Sequence, residues 1–430
     1  MNILLLGGGG REHALSWKLN DSPLCTKLII APGNAGTLMY GKNAQIDIKD
    51  FTAVKTLCLQ EKIDMLIVGP EDPLVKGIYD YFSNDKALQH IKVIGPSKNA
   101  AQLEGSKAFA KSFMQRNNIP TASYREFTLD NYEEGLVYIK QHPLPIVLKA
   151  DGLAAGKGVL ICMNHIEALA EFELIIMRAK FGEAGNRVVV EEFLNGIEMS
   201  LFVLTDGKNY VLFPEAKDYK RVGEGDKGLN TGGMGAVSPV PFFTTELKEK
   251  ITTSIIEPTI KGLQKDNLEY TGFIFFGLMI NDDVPWVIEY NCRLGDPEAE
   301  VVIPRLQNDL VELFKAASEK QLQNNKIQID PRASATVMAV SGGYPGNYEI
   351  GKEIKGISGL ILNETLIFHS GTKKKDGIVV TNGGRVLAVT SYGKTIKEAV
   401  EQSTYMLEQI YFEEMNFRTD IGYEFNAGQD

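Results

Sequence analysis

The segment "WVIEYN" sets Glu289 and Asn291 two residues apart in a run that reads as a strand. Both then face one side, and Ile288 and Tyr290 face the other. A carboxylate and an amide oxygen with incomplete coordination suit Mg²⁺, which keeps waters and substrate phosphates as its remaining ligands. The next turn, "CRLGDPE", adds Arg293, Asp296 and Glu298. Opposite charges crowded into a Gly/Pro turn beside such a pair favour an active site over a strand whose polar face only meets solvent.

A second constellation is built for phosphate. In "IVLKADGLAAGKGVLIC", apolar runs flank a loop of small residues, with Lys149 on the entering strand and Lys157 in the loop. A Walker loop requires G-x-x-x-x-G-K-[ST]. "GLAAGKG" has one residue too few, and Gly158 stands where the hydroxyl would be. The alternative is a hairpin of 146–150 and 158–162 whose backbone N–H groups fold over a nucleotide phosphate. A surface hairpin with solvated lysines is the plainer reading, but the small side chains suit a covering flap better. In "VVVEEFLNGIE", Glu191, the Leu194 backbone and Glu198 have the order needed for an adenine edge and then a ribose, although acids flanking strands are commonly just solvated.

"GGGGREH" follows the first strand directly. Glycine lets the backbone turn sharply, and the helix behind it offers free N–H groups to an anion. A dinucleotide fingerprint would put its third glycine on Glu12, and the second strand would end in an acid rather than "APGN". NAD is therefore disfavoured and a single phosphate is not. "KDYKRVGEGDKGLNTGGMGA" reads equally as a mobile catalytic loop or a surface loop, and its "TGGMG" run is too rich in glycine for a strand or helix core.

These groups need a scaffold. Residues 2–100 alternate "NILLLG", "KLIIAPG", "DMLIVGP" and "IKVIGP" with helical segments, which predicts a parallel sheet with its loops at the carboxyl ends. A helix over "GSKAFAKSFMQRNN" comes next, then a lid of about 121–190, long strands to about 320 and a small α+β end unit. The predicted division is 1–104, 105–325 and 326–430. The chain has 430 residues and a net charge of −10, which excludes a broadly basic nucleic-acid surface. Its four cysteines have no disulfide or zinc spacing, and no apolar run is long enough for a membrane, so a reduced cytoplasmic setting is expected.

Together "GGREHAL", "VGPEDPLV", "AAQLEGSKAFAK", "KADGLAAGKGV", "EEFLNGIEMS", "DYKRVGEGDKGLNTGGMGA", "YTGFIFFGLM" and "EYNCRLGDPE" resemble the ATP-grasp superfamily. Within it they are similar to the phosphoribosylamine–glycine ligase family over nearly the whole chain. The resemblance implies an N-terminal α/β domain, a lid, an ATP-grasp core and a C-terminal domain. It implies an ATP-dependent carbon–nitrogen ligase of de novo purine synthesis acting on glycine and 5-phosphoribosylamine, with Mg²⁺ or Mn²⁺, as a monomer. Lys107, Lys149 and Lys157 would attend the ATP phosphates, Glu191 and Leu194 adenine, and Glu198 the ribose. Glu289 and Asn291 would hold the metal. Gly9, Gly10, Arg11, Glu12, Gly33, Asn34 and Glu71 would bind phosphoribosylamine, and Lys220, Arg293 and Asp296 would surround glycine and the transferred phosphoryl group. Gly8, Lys217, Tyr219, Leu229 and Leu294 depart from the family's usual residues. Another ATP-grasp ligase or carboxylase, and an inactive nucleotide-binding regulator, are the alternatives at this point.

Overall fold

A strand with a continuous apolar run needs cover on both faces, and Asn2–Gly7 has it. Ile3 to Leu6 are fully buried at the centre of a five-stranded parallel sheet. In the computed structural model, which describes residues 1–153, 158–178, 180–358, 360 and 363–425, the sheet order is Lys42–Asn43, Lys27–Pro32, Asn2–Gly7, Met65–Val68, Lys92–Ile94. The chain runs outward from Asn2–Gly7 in both directions, so the crevice for a ligand opens beyond Gly7, Pro32 and Val68. The helix Gly10–Asn20 leaves that crevice buried along most of its length. The strand Thr365–His369 and the helix Ala299–Arg305 pack against it, so its polar residues Arg11, Glu12, His13 and Ser16 are buried as well.

Two short helices, Gln102–Gly105 and Lys107–Arg116, lead into a pair of four-stranded antiparallel sheets. The first has the order Tyr124–Thr128, Arg187–Glu192, Ile146–Ala150, Val159–Cys162. Its helices Tyr132–Gln141 and His165–Ile176 pack through Phe127, Ile139, Phe172 and Ile175. The second has the order Tyr210–Leu212, Ile197–Thr205, Gly272–Asn281, Val284–Asn291. The flap strands pair as a hairpin, with Ile146 opposite Cys162 and Lys149 opposite Val159.

The segment 217–236, expected as a loop, contains short strands. Lys217–Asp218 and Gly235–Ser238 are strands, and Arg221–Gly223 pairs with Lys227–Asn230 as a hairpin. Gly235–Ser238 joins Ala333–Val340, Arg385–Gly393 and Thr365–His369, so this sheet spans the predicted boundary near 325. Glycine at 235 is what lets the "TGGMG" run end in a buried strand. A Cβ there would lie 2.6 Å from the Thr336 carbonyl and 2.8 Å from Ile421.

Candidate active site

The two antiparallel sheets and the short linking helices close on one cavity of about 160 Å³. Lys107, Lys149, Glu191, Glu289, Asn291 and Arg293 line it, and Glu71 reaches it from the start of the helix Glu71–Lys76. These residues come from five separated stretches of the chain.

Lys149 is the penultimate residue of the strand Ile146–Ala150 that enters the flap. Its ammonium lies 2.9 Å from Glu191 Oε2 and donates to the Ile288 carbonyl at 3.1 Å. Only 4% of Lys149 and 3% of Glu191 are exposed. A second buried lysine, Lys111, lies 3.1 Å from the same Oε2 and donates to Thr121 Oγ1 and the Ala122 carbonyl. Burial pushes the Lys111 ammonium down to about 8 although Glu191 opposes the fall. Glu191 Oε1 is buried with no partner among the described residues. The flap base is tied to the helix Lys107–Arg116: Asp151 accepts from Ser106 Oγ and from the Ala108 N–H, and Ser106 Oγ caps Phe109. Lys107 donates to the Gly152 carbonyl at 3.1 Å, and burial lowers its ammonium from the usual range. Lys157 lies outside the described residues.

Glu289 and Asn291 both line the cavity. The pairing register shifts between Gly277 and Leu278, which leaves Ile288 out of the ladder. Ile288 therefore lines the cavity as well and supplies the carbonyl to Lys149, rather than simply facing away. Tyr290 also contributes to the lining, but its ring is turned inward, buried against Phe113 and Phe276 with its hydroxyl on Thr259. One end of the Asn291 amide meets only acceptors, Glu104 Oε1 and the Tyr290 carbonyl, each at 3.1 Å. The nitrogen belongs at that end and the oxygen at the other. Among the described residues no three His, Cys, Asp or Glu side chains group around a metal position. A carboxylate and an amide oxygen beside phosphate-seeking lysines fit a magnesium ion that takes its other ligands from nucleotide and water.

Glu104 carries no role in the sequence analysis, yet it is the most connected acid here. Its Oε2 accepts the Cys292 N–H at 2.7 Å, and its Oε1 lies 2.9 Å from Arg293 Nη2. Burial pushes its carboxyl up to about 7 against the pull of Arg293. Arg293 Nε also stands 3.3 Å from Glu71 Oε2, an ion pair without hydrogen-bond alignment. Arg293 and Arg11 hold Glu71 below the usual carboxylate range although burial opposes them.

At the N-terminal crevice, Glu12 Oε2 accepts the Gly9 N–H at 2.7 Å, so the acid of the first turn satisfies the N-cap backbone. Arg11 is 7% exposed; its Nε meets Glu12 Oε1 at 2.6 Å and its Nη1 donates to the Leu294 carbonyl. Gly10 sits against Glu300, whose two oxygens are buried with no partner among the described residues. Gly33 has φ +70°, so the turn into Asn34 favours glycine. Asn34 is held by bonds within the protein. Its Nδ2 donates to the Gly8 and His369 carbonyls and its Oδ1 accepts from Gly36 and Thr37. That fills the capacity of the amide, so Asn34 shapes the crevice and has no side-chain group left for a ligand. Asp296 Oδ2 lies 3.4 Å from the Arg11 N–H, and Asp296 Oδ1 pairs with Arg385 at 2.8 Å. Arg385, from the C-terminal sheet, also donates to the carbonyls of Asp296 and Gly232. No local motif marks it.

Lys220 meets Glu198 at 2.8 Å and lies 3.9 Å from Asp218. Burial opposes the charge, but Asp218, Glu198 and Glu289 hold this ammonium well above the usual lysine range. Lys217 points elsewhere, pairing with Glu424 over the Tyr219 ring. Leu194 lies half-buried in the turn before Ile197–Thr205.

Paired antiparallel sheets over a cavity lined by lysines and an acid–amide pair define an ATP-grasp protein. Three family models match the chain: the phosphoribosylglycinamide synthetase N domain over 1–104, its ATP-grasp (A) domain over 105–299 and its C domain over 334–424. The chain belongs to the phosphoribosylglycinamide synthetase family. It is 47% identical over 426 residues to the phosphoribosylamine–glycine ligase of Pasteurella multocida, with 98% of each chain covered. It is 46% identical over 427 residues to that of Escherichia coli O6:H1, again with 98% of each covered. The crystal structure of phosphoribosylamine–glycine ligase from Thermotoga maritima matches with a TM-score of 0.85 at 34% identity, covering 98% of this chain and 100% of that one. A biotin carboxylase domain from Hydrogenobacter thermophilus shares the fold alone, at a TM-score of 0.75 and 16% identity over 97% of this chain and 91% of that one. Among the described residues no helix is long and apolar enough to cross a membrane.

Proposed function

We propose that this chain joins glycine to 5-phosphoribosylamine at the expense of ATP, giving glycinamide ribonucleotide, ADP and phosphate in the second step of de novo purine synthesis. The observation that carries the reading is Arg293. It stands in the cavity with Lys107 and Lys149 and pairs with Glu71, which opens the helix after the strand Met65–Val68, so a nucleotide site and a substrate crevice share one residue. The full-length likeness to phosphoribosylamine–glycine ligases supplies the substrates.

In this account Lys107, Lys149 and Lys157 neutralise the ATP phosphates. Glu191 and the Leu194 backbone meet adenine, and Glu198 the ribose. Glu289 and Asn291 hold Mg²⁺, or Mn²⁺ in its place; when bound, the ion screens the charge on the transferred phosphoryl group. Gly9, Gly10, Arg11, Glu12, Gly33 and Glu71 form the phosphoribosylamine side, while Lys220, Arg293 and Asp296 surround glycine. A carboxylate is a poor electrophile toward an amine. One glycine oxygen therefore attacks the γ-phosphorus, ADP leaves, and glycyl phosphate results. The amine of phosphoribosylamine then attacks the carbonyl carbon and phosphate departs. The lid over 121–190 excludes water from the acyl phosphate. Three units, 1–104, 105–325 and 326–430, working as a cytoplasmic monomer complete the proposal. The test is ADP release with both substrates, with each omitted in turn, and with bicarbonate in place of glycine. Only the complete mixture is expected to release ADP and to yield glycinamide ribonucleotide by mass spectrometry. Equal release with bicarbonate would point to a carboxylase.

A further inference from the structure

We propose that Glu104 is the positioning residue that fixes the amide of Asn291, so that its oxygen is presented to the divalent cation beside Glu289. The inference rests on the reading of Glu289 and Asn291 as the metal-holding pair. Glu104 lies in the short helix Gln102–Gly105 that links the N-terminal sheet to the rest, 188 residues from the N–H it accepts on Cys292. Through two oxygens it holds three consecutive residues at the end of the Val284–Asn291 strand. Oε2 takes the Cys292 N–H at 2.7 Å, while Oε1 takes Arg293 Nη2 at 2.9 Å and the Asn291 amide nitrogen at 3.1 Å.

An asparagine ligand has a difficulty that an aspartate lacks. Its two ends are almost the same shape, but only the oxygen can bind a cation. Something must make the wrong orientation costly. Here Glu104 Oε1 and the Tyr290 carbonyl are both acceptors, so an amide oxygen turned toward them would face two lone-pair donors. A side chain that orients a ligand from behind is as much a part of a metal site as the ligand. The same carboxylate sets the direction of Arg293, so the acid couples the metal wall of the cavity to the arginine that reaches Glu71.

The geometry makes a specific demand on position 104. A carboxamide there offers one acceptor oxygen to three donors, so Glu104→Gln frees the Asn291 amide to turn over. In an Asn291→Asp background the donor and acceptor trade places: the carboxamide at 104 donates to a carboxylate that presents an oxygen either way round. The experiment is Mn²⁺ binding to the full chain with saturating ADP, read from the electron paramagnetic resonance signal of the free ion. The expected result is a loss of about tenfold or more for Glu104→Gln in the parent, with metal-free ADP affinity changed less than about twofold. The same substitution in the Asn291→Asp background is expected to cost less than about threefold. Parent-like Mn²⁺ affinity in Glu104→Gln, or an equal cost in both backgrounds, overturns the proposal. Glu289→Gln separates the two levels. If it weakens Mn²⁺ while Glu104→Gln does not, the positioning role alone fails; if neither does, the metal assignment fails. Should Glu104→Gln not fold by thermal melting, Glu104→Asp takes its place. It keeps the charge beside Arg293 on an arm one methylene too short for Asn291, and a parent-like Mn²⁺ affinity in it overturns the proposal equally.

Discussion

Lys149 Nζ stands 2.9 Å from Glu191 Oε2, and the other oxygen of that carboxylate has no partner among the described residues. The lysine proposed for phosphate and the acid proposed for adenine are thus one buried pair, and the first prediction concerns that pair. Lys149→Met removes the cation from the mouth of the flap. Nucleotide affinity by calorimetry should fall about tenfold or more, equivalent to about 1.4 kcal/mol or more. The melting temperature should drop only a few degrees, because Lys111 still neutralises Glu191. An unchanged affinity would remove Lys149 from the phosphate site.

Lys111 has the complementary part. It is buried and grips the oxygen that Lys149 also grips, leaving Glu191 Oε1 free for an exocyclic amine. Lys111→Met should let the carboxylate turn. The ratio of kcat/KM for ATP to that for GTP should fall about tenfold, which is about 1.4 kcal/mol of discrimination. A ratio that stays at the parent value would mean that Lys111 is packing alone.

Arg385 closes the crevice from the C-terminal side by pairing with Asp296, whose other oxygen lies at the Arg11 N–H. Arg385→Met leaves Asp296 buried and unpaired next to Glu300. The Michaelis constant for phosphoribosylamine should rise about tenfold while that for ATP stays within about twofold. The reverse pattern would place the nucleotide in the wrong part of the molecule.

His13 and His369 join the first helix to the C-terminal sheet. The His369 N–H donates to His13 Nδ1 at 2.6 Å, which requires that nitrogen to be unprotonated. Burial pushes His369 down to about 4 and, with the neighbouring His369, takes His13 well below its usual range. The unfolded chain takes up protons on both imidazoles as pH falls below about 6.5, and the folded chain does not. Stability is therefore lost on going from pH 6.5 toward 4, by at most about 3 kcal/mol for His369. Between pH 7.5 and 5 the thermal midpoint of the parent should fall more steeply than that of His369→Gln. Parallel slopes would remove His369 from the acid transition.

Some of this was open to reading from the chain, and the reason is local order. Strand alternation is enough to put Glu289 and Asn291 on one face, and a strand entering a small-residue hairpin is enough to place Lys149. The bulge at Ile288 escaped because nothing in "WVIEYN" announces an extra residue; it is set by the partner strand at Gly277. Glu104 and Arg385 escaped because their significance comes from partners 188 and 89 residues away, Cys292 and Asp296. The 217–236 segment looked like a loop because its glycines suppress strand propensity. It is a strand where Ala333–Val340 offers a ladder and Ile421 leaves no space for a side chain. Asn34 has the right type for a ligand contact, and only its full set of hydrogen bonds shows that it is occupied.

The central claim is that glycine is activated as glycyl phosphate in the cavity between Lys149 and Arg293. Glycine carrying heavy oxygen in its carboxylate tests it directly, with mass spectrometry of the released inorganic phosphate. The account predicts one labelled oxygen in phosphate for each glycinamide ribonucleotide formed, with ADP as the nucleotide product. Unlabelled phosphate under conditions where product accumulates and label does not exchange with water, or label in AMP with pyrophosphate released, would contradict it.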